Sequence, residues 1–235
     1  MEIPNIIEYL SQISTNTNDW FRGQADVEWD LLPSIARIRT PERNGILSLR
    51  DWEGVEEFML DEFTKKAAPY LDFKPENKWE LLVHAQHHGL PTRLLDWTTN
   101  PLKALFFAVE DSSKDRYTGV VYPCMVDEVW TDLSTADKFK KMELNCFETS
   151  HLNSRIIAQE GCFSAHPLPE GFDEFKTIDE LFNENVSALI TGDRITIPGH
   201  KKSEVRKELR HLGITHQSLF PDIEGVTKSI LRGFE

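Results

Sequence analysis

The chain has 235 residues, 40% of them hydrophobic, and its 26 Lys plus Arg stand against 39 Asp plus Glu for a net charge of −13. Six Trp and fourteen Phe supply a sizeable core, which excludes disorder as the general state and suits one large domain or two small ones. No run approaches the ~18 apolar residues of a membrane span, and the N-terminal MEIPNIIEYLSQ lacks the basic residues of a signal peptide. A cytoplasmic protein with no membrane partner is therefore expected.

Apolar residues at 3, 6, 7, 10 and 13 have the spacing of one buried helix face, and Thr15 to Asp19 is a polar break. Trp20-Phe21-Arg22-Gly23-Gln24 reads as a short strand, and TPERNG at 40–45 as a loop. A long amphipathic helix is expected from Ser48 or Asp51, either a good N-cap, to Tyr70, with Trp52, Val55, Phe58, Met59, Phe63 and Ala67 on one stripe. A second helix covers Asn77 to His88 and stops at Gly89-Leu90-Pro91. Leu94 to Thr98 is a buried strand, followed by a helix capped by Asn100 with Pro101 in its first position. Because PLKALFFAVE is apolar nearly all round, that helix belongs inside. Gly119 to Val126 is a central strand that Pro123 bends or ends. Further on, Arg155 to Gln159 reads as a strand, Ile178 to Leu189 as a helix and Asp193 to Pro198 as a strand. A last helix, Ser203 to Leu212, is stopped by Gly213. Strands and helices mix without a βαβ rhythm. The expected fold is α+β, one domain over residues 1–235 with a mixed sheet flanked by helices.

Cys124, Cys146 and Cys162 are too far apart for a CxxC pair and read as reduced thiols packed as small hydrophobes. The acidic excess is even, 13 basic against 20 acidic in residues 1–117 and 13 against 19 in 118–235, which argues against broad binding to a nucleic-acid duplex. His200–His211, HKKSEVRKELRH, is a local exception with five Lys or Arg against two Glu. It reads as a solvated helix face, or as a contact for single-stranded RNA or an acidic protein. WFRGQ sets a guanidinium among hydrophobes, where a buried Arg needs an anion or carbonyl partner such as Asp96. His84, His87 and His88 share a helix face, but Ala85 stands where a zincin has Glu, so no metal is assigned. Walker A, GxGxxG, GxSxG and HExxH patterns are absent. What remains is Arg22, Gln24, Asp96, Trp97 and Gln159, polar or amphipathic groups at strand ends in an apolar setting, a convergence that favours a pocket.

WFRGQ, WDLLPSIAR at Trp29–Arg37 and AQHHGLPTRLLDWTTNPLKALFFAV at Ala85–Val109 resemble the FRG domain family. RIIAQEGCF at Arg155–Phe163, His211–Ile214 and Ser218–Ile223 extend the resemblance from Trp20 to about Ile230. The resemblance implies a distant likeness to ADP-ribosyltransferases, in toxin–antitoxin or phage-defence settings of bacteria or phages. It further implies NAD as substrate, RNA or a protein as target, and an antitoxin-type partner. Residue by residue, Arg22 on the first strand would hold the NAD ribose. Gln24, Asp96, Trp97 and Thr98 would complete the NAD site, Trp97 stacking on a flat ring. Gln159 or Glu160 would orient the attacking group and stabilise the oxocarbenium character of the cleaved glycosidic bond, while Arg22 takes ribose or pyrophosphate oxygens. The Ser-Thr-Ser second motif and the Glu-x-Glu or Gln-x-Glu third motif of those enzymes are absent.

Alternation along an Arg155–Gln159 strand would put Gln159 with Ile157 on one face and Glu160 with Ile156 and Ala158 on the other, which favours Gln159 as the pocket residue. Two other function classes stay open. One is a non-enzymatic module that binds a nucleotide or a partner peptide and needs no Glu160. The other is a metal-dependent hydrolase or nuclease, built by convergence of His84, His87, His88 and Asp96 on one ion.

Overall fold

The structure, a computed structural model, describes residues 2–14, 19–38, 49–70, 75–133, 142–149, 154–187 and 189–232. Residues 15–18 of the polar break, the loop at 40–45 and the alternative cap Ser48 lie outside them. The first half of the chain follows its caps. Helix α1 (Ile6–Ile13) opens on Asn5, strand β1 is Trp20–Gln24, and α2 (Trp52–Ala67) opens on Asp51, whose carboxylate accepts from the Gly54 amide at 2.8 Å. Asn77 caps α3 (Lys78–His87). After β2 (Leu94–Thr98), Asn100 accepts from the Leu102 and Lys103 amides at the start of α4 (Pro101–Val109). Each cap satisfies amides that a helix start leaves without partners.

The second half supplies β3 (Gly119–Val126), β4 (Val129–Trp130), β5 (Asn145–Phe147), α5 (Ser154–Gln159), β6 (Gly161–Ala165) and α6 (Ile178–Asn183). It ends with β7 (Leu189–Thr191), β8 (Ile195–Ile197), α7 (Lys202–His211), α8 (His216–Leu219) and α9 (Ile223–Leu231). Among the described residues the strands form one eight-stranded sheet in the order β4-β5-β6-β2-β1-β3-β7, with β8 also paired to β3. The β4–β5 pair is parallel, whereas β1, β2, β3, β5, β6, β7 and β8 pair antiparallel, so the sheet is mixed and the fold α+β. β3 gives its first half to β8 and its second to β7. Pro123 falls just at that change of partner and lies opposite Phe21 of β1, which is how a central strand tolerates a residue without an N–H.

Two expectations need correction. Arg155–Gln159 is a helix, and the strand is the next segment, β6, in five-residue register with β2 from Leu94↔Ala165 to Thr98↔Gly161. A short apolar run fits either period. Here only Ile156 of α5 is buried, while Ile157 is exposed, and Glu160 at φ 47° makes the left-handed step from helix to strand. The helix expected over Ile178–Leu189 ends at Asn183. Asn185 then turns at φ 57°, and Leu189–Thr191 joins the sheet instead.

One face of the sheet carries α1, α4 and α7 over Phe21, Val121 and Ile197. The other buries Trp20, Trp97, Tyr122 and Ile178, together with the free thiols of Cys124, Cys146 and Cys162. No helix among the described residues is long and apolar enough to cross a membrane.

Two contacts fix the frame. A Cβ on Gly23 would lie 1.9 Å from the Ala104 carbonyl oxygen, so α4 rests its backbone directly on β1. Behind β2, Glu56 of α2 is 1% exposed and accepts from Arg93 Nε at 2.7 Å and Lys78 Nζ at 3.0 Å. Burial pushes the Glu56 carboxyl up, but Arg93 and then Lys78 outweigh it and leave the group below its usual range. Gly23→Ala should cost at least about 2 kcal/mol in urea unfolding, because the overlap is with helix backbone and not with a movable side chain. Glu56→Gln should cost about 3 kcal/mol at pH 7 by leaving the Arg93 charge without its partner. Since the folded pKa is depressed, that stabilisation is present above the unfolded value of about 4.3 and is lost as pH falls through the folded one, so the two proteins should converge in acid.

Candidate functional site

The middle of the sheet is split. β1 is paired to β3 along all five of its residues, from Trp20↔Cys124 to Gln24↔Val120, and β2 is paired to β6 along all five of its own. Between β1 and β2 only Phe21↔Thr98 are in register. Beyond that pair the two strands diverge, and a cavity of about 370 Å³ opens there, at the small end of the roughly 300–1,000 Å³ usual for ligand sites.

Strand alternation decides which side chains of WFRGQ meet it. Phe21 and Gly23 face α4, so Arg22 and Gln24 face the other way. The Arg22 guanidinium reaches across the split and donates from Nη1 to the Asp96 backbone carbonyl at 2.5 Å, where a continuous ladder would have had an amide. Among the described residues its buried Nε has no hydrogen-bond partner, and neither has Oε1 of Gln24, which is 5% exposed. A donor and an acceptor, both desolvated, thus belong to two residues of the cavity lining. Burial lowers the Arg22 pKa, with Asp96 acting against that and Arg37 adding to it. Close by, His166 is pushed down to about 3 by burial and then by Arg22, and is neutral.

The other expected residues divide. Asp96 lines the cavity with its carboxylate accepting from Gln86 Nε2 at 2.9 Å, and Gln86 in turn is bonded to Thr92. Asn100, not Asp96, caps α4. Trp97 lies along the cavity, yet its indole is 3% exposed and donates from Nε1 to Ser164 Oγ at 2.9 Å. The exposed indole in the lining is Trp29, at 43%. The Thr98 hydroxyl donates to the Gln159 carbonyl at 2.7 Å, a knot between β2 and α5. Gln159 lines the cavity, with its amide nitrogen donating to the Leu219 carbonyl at 3.2 Å. Glu160 is not in the lining. Its carboxylate accepts from Lys103 Nζ at 2.7 Å and Asn100 Nδ2 at 3.2 Å, and Lys103 above all holds it below the usual carboxylate range.

Sequence reasoning missed Trp29, Arg37, Gln86, His87, Glu110 and Arg155 in the lining. Gln86 and His87 could have been found, since they belong to the cluster immediately before LLDWT. Arg37, Glu110 and Arg155 carry no local signal. Of the three helical histidines, His87 reaches the cavity and has its pKa lowered by burial, then by Arg155. His84 is buried, with rings 6.2 Å from His88. Among the described residues no group of three or more His, Cys, Asp or Glu is placed to hold a metal ion.

Chemically, the cavity offers guanidinium groups for an anion, one amide acceptor for an N–H or O–H, an exposed indole for a flat ring, and a carboxylate in Asp96. The family model of the FRG domain matches residues 17–117, which span β1 through α4 and thus Arg22, Gln24, Gln86 and Asp96 but not Gln159 or Glu160. No curated protein and no solved structure matches the chain.

Proposed function

We propose, from the match of residues 17–117 to the FRG domain model and from the site itself, that the split between β1 and β2 is an NAD site and that the protein is an ADP-ribosyltransferase-like effector acting on RNA or a protein. The observation that carries this reading is that Arg22 Nε and Gln24 Oε1, on two residues that line the cavity, are desolvated and have no hydrogen-bond partner among the described residues. A donor and an acceptor buried without partners cost free energy that a ligand repays, so their side by side placement favours a ligand with an anionic or hydroxyl-rich part and an amide or hydroxyl donor. NAD has both.

In this reading the glycosidic bond between C1′ of the ribose and the nicotinamide nitrogen breaks, its electron pair leaves with neutral nicotinamide, and an oxygen or nitrogen of the target bonds to C1′ as its proton passes to solvent water. Arg22 holds ribose or pyrophosphate oxygens as a planar fork. Gln24 accepts from the carboxamide or a ribose hydroxyl. Trp29 takes the stacking role first given to Trp97. Positive charge grows at C1′, and a fixed carboxylate facing it lowers the barrier. Asp96, in the lining and held by Gln86, is the carboxylate of choice, with Gln159 orienting the attacking group. Glu160 supports the fold through Lys103.

The engagement of Glu160 also favours a second reading, a nucleotide-binding module that breaks no bond. The two separate cleanly. With pure protein, NAD should raise the melting temperature and release nicotinamide; the first without the second is the binding module. Arg22→Lys should weaken NAD binding by about tenfold or more, since an ammonium cannot reproduce the fork. Asp96→Asn should cut nicotinamide release by about 100-fold or more with little change in binding. Glu160→Gln should leave both within about threefold. Loss of turnover in Glu160→Gln alone would reverse the assignment of the carboxylate, and the same variants expressed in cells should lose toxicity in parallel with turnover.

A further inference from the structure

A second cavity, of about 580 Å³, lies between α4, α7, α8 and α9, and one residue, Glu110, lines both it and the cleft. Its composition runs against the chain as a whole. Arg206, Lys207, Arg210 and Arg232 line it against two carboxylates, Glu110 and Asp115, in a protein whose net charge is −13.

These cations are not equivalent. Arg206 is consumed by structure: it donates to the Val109 carbonyl at 2.6 Å, closing the C-terminus of α4, and grips Asp115 with both terminal nitrogens at 2.5 and 2.7 Å. Asp115 is therefore spoken for, while Glu110 lies 3.1 Å from Nε2 of the buried His216. Lys207 makes no ion pair among the described residues, and Arg210 spends one terminal nitrogen on the Arg232 carbonyl at 2.8 Å and pairs with no carboxylate. Ser203 stands in the same lining, over a floor that includes Phe106 and Ile214, while the Thr215 hydroxyl is used in the cap of α8. Two cations without carboxylate partners among the described residues, a neighbouring serine and an apolar floor suit a phosphate ester that carries a flat ring.

We infer that this cavity is a nucleotide-phosphate site separate from the cleft, in which Lys207 and Arg210 hold the phosphate and Phe106 with Ile214 supports the base. The phosphate belongs either to a free mononucleotide or to the end of a single strand. Glu110 is the shared wall and α4 borders both, but Lys207 and Arg210 come from α7, which contributes nothing to the cleft lining, so the site does not depend on NAD being the ligand there.

The test is titration calorimetry with inorganic phosphate, adenosine monophosphate and a short single-stranded oligonucleotide, on the wild-type chain and on Lys207→Glu, Arg210→Glu and Arg22→Ala. Lys207 and Arg210 are exposed, so their reversals should melt as the wild type does. Each reversal should weaken adenosine monophosphate binding by about tenfold or more, and Arg22→Ala should leave this component unchanged. Comparable affinity for the mononucleotide and the oligonucleotide assigns the phosphate to a free nucleotide. A tighter, strongly salt-dependent oligonucleotide assigns it to a strand. The inference is overturned if no probe binds at millimolar concentration, or if both charge reversals bind as tightly as the wild type. Loss of all binding in Arg22→Ala, with none in the reversals, would return the nucleotide to the cleft.

Discussion

The approach of the α4 backbone to β1 at Gly23 is the constraint on which the cleft depends. With 1.9 Å between a would-be Cβ and the Ala104 carbonyl oxygen, no side chain fits at residue 23. The helix therefore lies flush on the strand, and the neighbours of Gly23 have a single place to go. Arg22 and Gln24 emerge on the far face of β1, at the point where its pairing with β2 has already ceased. The same helix is tied to the other side of the split. Asn100 caps it immediately after β2, the Thr98 hydroxyl bonds to both the Asn100 amide and the Gln159 carbonyl, and Lys103 reaches the Ala158 carbonyl. One helix thus holds β1, β2 and α5 at a fixed separation, and the gap between the strands is a property of that scaffold.

Electrostatics then gives the gap its character. A backbone carbonyl satisfies one N–H of Arg22 but does not neutralise its charge. Burial already lowers the Arg22 pKa, which measures how poorly the surroundings solvate the cation. Elsewhere the fold treats buried charge differently: Glu56 is held by Arg93 and Lys78, and Asp115 by Arg206. Lys202, fully buried, is the nearest parallel, since its Nζ donates to the carbonyls of Ala25 and Lys114. That lysine fastens the residue after Gln24 with two bonds to carbonyls, whereas Nε of Arg22, a residue of the cavity lining, has no hydrogen-bond partner among the described residues.

Much of this architecture was legible in the chain. Asn100-Pro101 announced the start of α4, its all-round apolar composition announced its burial, and WFRGQ and LLDWT were readable as strands because they are short, apolar and bounded by polar breaks. RIIAQ was not, since two isoleucines in five residues satisfy a strand and a single helical turn and a half alike. What decided it was tertiary: β6 occupies the edge of β2, and α5 packs behind it. The parity argument built on that strand lost its premise, although Gln159 does line the cavity and Glu160 does not. Trp97 illustrates a second limit. An aromatic beside an acid on a strand looks the same whether its ring faces ligand or core, and here the face is set by Leu95 and Trp97 sharing the side of Trp20 and Tyr122. Arg37, Glu110 and Arg155 enter the lining from three separate elements, so their convergence is written only in the fold.

The acidity of the chain acquires a meaning from this distribution. Most acidic groups lie on the outside, several in ion pairs between helix neighbours such as Lys66 with Glu62 and Lys228 with Glu224, which screen one another in water and contribute little. Three cations that pair with no carboxylate among the described residues line concavities instead: Arg22 in the split, Lys207 and Arg210 over the second cavity. In a concave, partly desolvated wall a charge acts at a lower effective dielectric than on an open surface, and its field is focused into the cavity. Under the proposed readings an anion is repelled by the net charge and met by cations at these two concavities, so a phosphate end that enters one is favoured over a polyanion lying across the surface.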